Sequence, residues 1–244
     1  MTELNTETRS DQIAHVLRDD ILAGRYRVGE RLPSERDLAA RFHASRGAVR
    51  EAFRRLEQLG LATISHGGAR VLALEEANID IIGPLLTIGE VPDLDLVGQV
   101  LDVIGGLYRI ALQQMIERAS NEELDSARAV IGQLADLSLT AEQQMQVRNE
   151  VGQFLMEKSH NLLLRLINNS LRSQFVDRDQ SGVLPQADAN EFREPVARLD
   201  EAIQSRDAES ADQAISEIAA IDRRLIITTI TQQLQQGSSA GAQS

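Results

Sequence analysis

Residues 27–71 read RVGERLPSERDLAARFHASRGAVREAFRRLEQLGLATISHGGARV. Ser34-Glu35-Arg36-Asp37 has the form of a helix-opening cap, with Asp where Glu or Gln is usual. The short helix that it opens buries Leu38, Ala39 and Phe42. A tight turn then ends at Ser45, which caps a further helix, Arg46 to Leu59. On that helix Val49, Ala52, Phe53 and Leu56 form an apolar stripe. Arg46, Arg50 and Arg54 recur at i, i+4 and i+8 on another face. Gly60 ends the helix. Leu61–Ile64 and Ala69–Leu72 read as two short strands around Ser65-His66-Gly67-Gly68, a tip whose paired glycines permit positive φ.

Working outward, Ser10 caps an earlier helix with apolar positions Ile13, Val16, Leu17 and Ile21, and Gly24 ends it. Val28 to Pro33 is extended. Three helices followed by a hairpin make the pattern of a winged helix-turn-helix. Its third helix, second of a close pair, is the element such folds lay in the major groove. An arginine row alone reads equally well as a solvated charged face, with Glu51 and Glu57 interspersed; its place in the helix pair favours recognition. His66 by itself is an ordinary loop histidine, but on a hairpin tip beside Arg70 it can reach phosphates or a minor groove.

The charge distribution fits that division. The net charge is −12, yet residues 1–70 hold 12 arginines against 10 acidic residues, and the remainder hold 13 basic against 27 acidic. A local basic face suffices for contact with phosphates, and an acidic second half is repelled from the duplex. Aromatic content of 3% and no Trp favour packed helices over a sheet-rich fold. The absence of cysteine excludes disulfides, thiol catalysis and thiolate metal sites. No apolar run approaches membrane-spanning length, and Met1–Ser10 lacks the pattern of a signal peptide, so a cytoplasmic protein is expected. No P-loop, dinucleotide fingerprint or nucleophile–base set occurs, so neither an enzyme nor a cofactor is expected.

Residues 9–72 resemble the DNA-binding domain of the GntR family of bacterial transcription regulators. ILAGRYRVGERLPSERDLA, SRGAVREAFRRL and LGLATISHGGARV carry the resemblance. It implies operator contacts by the Arg of the PSER element, the start of the third helix and the wing tip: Arg36, Ser45, Arg46, Gly47, Arg50, His66 and Gly67. Physical chemistry agrees with that carry-over. Arg46 can set its guanidinium bidentately on guanine, and Gly47 leaves room to approach the groove floor. Ser45 and the helix N-terminus offer N–H donors to a phosphate. The His-Gly tip is most similar to the FadR branch.

From about Glu75 the pattern changes to long apolar-periodic helices. Leu94–Arg118 carries Leu96, Val100, Val103, Leu107, Ala111 and Met115; Asn121–Leu137, Met145–Met156, Asn161–Phe175, Glu191–Ser205 and Ala208–Gln235 follow, with Gln180–Asn190 as a loop. This half resembles the FadR-branch sensing domain through EKSHNLLL and LDEAIQSRDAESA. Many of that branch hold a metal through one Asp and three His, but those places fall at Arg148, Gly152 and near Val196 and Ile218. An effector-anchoring arginine is likewise replaced near Ile104. His160 is the only histidine in this half, so no metal is expected. Tyr108, Arg109, Arg148 and Arg165 read as ion-paired or solvent-facing rather than as a ligand site.

The expectation is a mainly α chain: a winged helix-turn-helix with a small β-hairpin over 9–74, an all-α antiparallel bundle over 75–236 and a disordered tail over 237–244. It implies a regulator, commonly a repressor, that binds a palindromic double-stranded operator as a homodimer. A metabolite in the helical domain would modulate it. The candidates are a fatty acid or acyl-CoA, a small organic acid, or no effector at all. An architectural DNA binder fits the acidic bulk poorly.

Overall fold

In the computed structural model, which describes residues 8–89, 92–175 and 190–241, the chain divides into two compact units, Met1–Pro92 and Asp93–Ser244. Helix α1 (Arg9–Leu22) opens the first. Its cap is Thr8, two residues before the expected Ser10. The Thr8 hydroxyl accepts from the Asp11 amide while the Asp11 carboxylate accepts from the Thr8 amide. Ser10 has the apolar Ile13 three residues on and cannot form this reciprocal pair. Gly24 ends the helix at φ 70, and the amides of Gly24 and Arg25 return to Ile21 and Asp20.

Helices α2 (Glu35–Arg41) and α3 (Arg46–Gln58) begin at Ser34 and Ser45, whose hydroxyls accept from the amides of Asp37 and Ala48. Leu59 is the last cap of α3 rather than part of it. His43, in the turn between them, has φ 48, a conformation seldom adopted outside glycine. The apolar faces meet in one core: Ile13, Leu17 and Ile21 from α1, Leu38 from α2, and Val49, Phe53 and Leu56 from α3, closed by Leu61 and Val71. Val16 lies at the exposed edge of its stripe.

The chain leaves α3 through Gly60, whose φ of 72 would strain any other residue and where a Cβ would meet the Glu76 carbonyl oxygen at 2.6 Å. Strands β1 (Ala62–Ser65) and β2 (Gly68–Val71) pair antiparallel from Ala62↔Val71 to Ser65↔Gly68, leaving a turn of His66 and Gly67 alone. Residues 29–32 lie along β2 as well: the Gly29 and Leu32 amides donate to Val71 and Ala69, and Val71 donates to Glu30. Residues 75–89 pack with this first unit. Asn78 donates to the Leu59 and Gln58 carbonyls at the end of α3, and Ile81 lies in the core. Short helix α4 (Ile82–Thr87) follows.

The second unit is helical throughout its described residues: α5 (Leu94–Arg118), α6 (Asn121–Gly132) with a 3-10 turn at Gln133–Ala135, α7 (Ala141–Lys158), α8 (Leu162–Phe175), α9 (Asn190–Ser205) and α10 (Ala208–Gly241). Capping boxes at Ser120/Glu123 and Thr140/Gln143 set where α6 and α7 start. Helix α5 buries Val97, Val100, Leu107, Ala111, Leu112, Met115 and Ile116. Val103, counted in its stripe, is 52% exposed because it falls at the stripe's edge. Helix α10 continues to Gly241, five residues into the stretch read as a disordered tail. The loop read over Gln180–Asn190 lies outside the described residues except for Asn190, the first residue of α9.

Candidate nucleic-acid interface

Helix α3 presents its basic face opposite the core. Arg46, the first helical residue, is exposed, and no carboxylate engages it among the described residues. At Gly47 a Cβ would meet only the Ser45 Oγ at 3.6 Å, so the start of α3 is unobstructed from outside. Ser45 uses its hydroxyl on the Ala48 amide at 3.2 Å. The helix end therefore shows unpaired amides, a small surface and a free guanidinium together, a combination suited to an anionic groove.

Arg50, one turn on, is partly occupied. Its Nε donates to both Glu35 carboxylate oxygens at 2.9 and 2.8 Å, and that hydrogen bond raises the guanidinium pKa above its ordinary value. The bond also brings the start of α2 beside the basic face, and Arg36 with it. The Arg36 side chain is 79% exposed, with only a loose approach of 3.6 Å to Asp37. The Ser34 hydroxyl, with smaller help from Arg36, holds the Asp37 carboxyl below the usual carboxylate range. Arg54, the last of the row, pairs with Glu51 at 2.6 Å, and Arg55 beside it pairs with Asp11 of α1, so both are used within the protein. His66 and Gly67 form the exposed wing tip.

All seven positions indicated by the sequence thus fall on one unit, five along the α2–α3 pair and two on the wing. Two contributors escaped sequence reading. Glu35 holds Arg50, and Arg31 lies against the wing tip. Arg31 gave only the signal of an arginine in an extended segment, because its pairing with β2 is tertiary.

In the second unit the places that the resemblance assigns to metal ligands do not fit a metal. Arg148 Nε lies 2.7 Å from Asp222 Oδ1, and its guanidinium sits 5.3 Å from the centre of the Phe192 ring. At Gly152 a Cβ would meet the Tyr108 hydroxyl at 2.3 Å, so no imidazole can stand there without expelling Tyr108. Val196 and Ile218 are apolar and buried. A cation is already present as guanidinium, and the remaining places offer no lone pair. His160 lies in the turn after α7 at φ 52 and is exposed. Arg109 pairs bidentately with Asp212 at 2.7 and 2.6 Å, so it faces no ligand.

Residues 9–71 match the family described as "Bacterial regulatory proteins, gntR family". The Mycobacterium tuberculosis HTH-type transcriptional regulator Mce2R is 33% identical over 94 residues, 38% of this chain and 39% of that protein. An HTH-type transcriptional regulator Rv0494 from the same species is 36% identical over 83 residues, 30% of this chain and 34% of that protein. The Uxu operon regulator of Haemophilus influenzae is 31% identical over 80 residues, 30% of each. The chain thus spans between 30% and 39% of the length of these relatives. Among solved structures, Streptococcus agalactiae GntR is similar at a TM-score of 0.42 and 21% identity, over 88% of this chain and 99% of that one. The matched family and relatives are regulators of transcription, not enzymes.

Proposed function

We propose that this chain, whose residues 9–71 form a GntR-family DNA-binding domain, is a homodimeric transcription regulator of the FadR-like branch that represses metabolic genes from a palindromic operator. The observation that carries this reading is the start of α3, where the free guanidinium of Arg46 stands beside an open Gly47 and an exposed amide end. Arg46 reads a base edge; Arg36, Ser45 and Arg50 hold backbone or neighbouring bases; His66 and Gly67 enter from the wing. Two copies related by a two-fold axis read two half-sites about one helical turn apart. The test is selection of duplexes from a random pool followed by gel shift. Enrichment of an inverted repeat, bound in a salt-sensitive complex, supports the reading. Equal affinity for random duplex overturns it.

We further propose that the helical unit senses a metal-independent ligand, a fatty acid or acyl-CoA, and that the ligand lowers operator affinity by preferring the non-binding arrangement. The poor fit of Arg148, Gly152, Val196 and Ile218 to a metal favours this over a metal-held organic acid. An open groove of about 410 Å³ between α9 and α10 is lined by Arg198, Glu201, Asp207 and Glu217, poor company for an acyl chain. We place an acyl effector away from that groove, in the apolar interior of the bundle. A thermal-shift series with acyl-CoAs, fatty acids and hydroxy acids, with and without zinc, separates the readings. A shift only with hydroxy acid plus zinc rules against the acyl ligand, and no shift with any compound favours a unit that binds no effector.

A further inference from the structure

The wing carries a second cation on its flank. Arg31 forms an antiparallel bridge with Arg70, and the flanking ladder bonds, Leu32 to Ala69 at 2.9 Å and Val71 to Glu30 at 3.0 Å, fix its backbone along β2. From there the side chain reaches the hairpin tip. Its Nη2 lies 3.0 Å from the position that a Cβ would occupy at Gly67, and its Cζ 3.5 Å. The residue is exposed, and no hydrogen bond or ion pair engages its guanidinium among the described residues. Its neighbours differ. Arg70 spends an N–H on the Gly29 carbonyl at 2.7 Å, and Arg50 and Arg54 are held by carboxylates.

Gly67 is the informative partner. Unlike Gly68 at φ 101, it does not have a positive φ, so its backbone conformation is open to any residue. What glycine supplies at 67 is room, because a methyl group there would press on the guanidinium. Laying an arginine over a glycine costs side-chain entropy, and no internal hydrogen bond offsets it. Five N–H donors are thereby aimed at the wing tip in a planar fork suited to phosphate oxygens.

We propose that Arg31 is a phosphate contact of the wing and that Gly67 serves to seat it. This rests on the regulator reading above. A backbone contact of this kind orients the wing on the duplex and carries no sequence information. Losing it weakens selected and scrambled duplexes by the same factor.

The experiment uses the full chain and a duplex that it enriches from a random pool, with affinity followed by fluorescence anisotropy across a salt series. Arg31→Ala is expected to reduce the slope of log affinity against log salt by about 0.9, one phosphate's worth. Arg31→Lys is expected to restore the slope, with an unchanged melting temperature for both. Gly67→Ala is expected to weaken binding more in the wild-type background than in the Arg31→Ala background, the difference being the part that acts by displacing that side chain. An unchanged slope in Arg31→Ala overturns the assignment, as does a Gly67→Ala penalty equal in both backgrounds. Failure of the wild-type chain to enrich any duplex is a different result and sinks the regulator reading itself.

Discussion

The first unit sets a few arginines aside from internal pairing, whereas the second uses several to join its helices. In the first, Arg31 and Arg46 project without internal partners, and Arg36 has only a loose one. In the second, arginines join helices. Arg109 ties α5 to α10 through Asp212, Arg128 ties α6 to α9 through Asp200 at 2.7 and 2.8 Å, and Arg148 ties α7 to α10 through Asp222. Arg206 satisfies the carbonyls of Ile116 and Ala119 and the Asn121 side chain. Removing Arg109, Arg128 or Arg148 should therefore cost stability, and removing Arg31, Arg36 or Arg46 affinity.

The sharpest way to break that contrast is at Arg148, where only 12% of the side chain is exposed. Arg148→Ala strands the Asp222 carboxyl in a dry site without its partner, where it must take up a proton or stay charged, a loss of about 3 kcal/mol in a urea melt. Replacing both partners by Met and Leu removes the stranded polar group and is expected to recover most of that loss. A single mutant as stable as wild type would make this pair ornamental and remove the contrast.

Arg46→Ala tests the other side. Loss of one bidentate contact costs about 1–3 kcal/mol of operator affinity and relaxes preference at one base position, with the urea midpoint unchanged. A drop in midpoint with no loss of discrimination would place Arg46 among the structural arginines.

The first unit was legible in the sequence because its signals act locally. Ser34, Ser45 and Gly60 mark their own helix ends, and the paired glycines mark the hairpin tip, although Ser65 and Gly68, read as part of that tip, pair with each other and leave a turn of two residues. What escaped reading is what depends on distant partners. The pairing of Arg31 is defined by β2, and Arg148, read as ion-paired or solvent-facing, finds in Asp222 and Phe192 partners that lie far away in the sequence. Periodicity put Val103 in the stripe of α5, but only the neighbouring helices decide which edge of a stripe meets solvent.

A smaller effect separates the ion pairs by pH. Burial pushes Asp222 up to about 6 from an ordinary 3.8, with Arg148 only partly opposing it. The folded state then holds this proton more tightly than the unfolded chain does. Its contribution to stability is complete below about pH 4 and is lost as pH rises towards 6, on the order of 1–3 kcal/mol. Asp200 and Asp212 behave oppositely. Hydrogen bonds from Arg128 and Arg109 hold them below their ordinary value, so their contribution is present above it and lost in stronger acid. Urea midpoints across pH 4 to 6 should fall in wild type and flatten in Asp222→Asn. A flat wild-type profile would remove Asp222 as a titrating group.

Arg50 belongs to both categories, so it yields the smallest and most discriminating prediction. Its Nε is held by Glu35, but its side chain is 64% exposed on the same face as Arg46, leaving both terminal nitrogens available. An exposed pair of this kind adds little stability, under about 1 kcal/mol. Glu35→Gln should therefore hardly move the urea midpoint, while freeing the guanidinium and raising DNA affinity by a few-fold. Removing any acid near a duplex also relieves repulsion, so the comparison that matters is the same substitution in an Arg50→Ala background. If the gain persists there in full, the effect is simple charge and Glu35 does not restrain Arg50. If it disappears, Glu35 holds the guanidinium in the free protein and surrenders it to the duplex, and internal pairing and DNA contact are alternative states of one side chain.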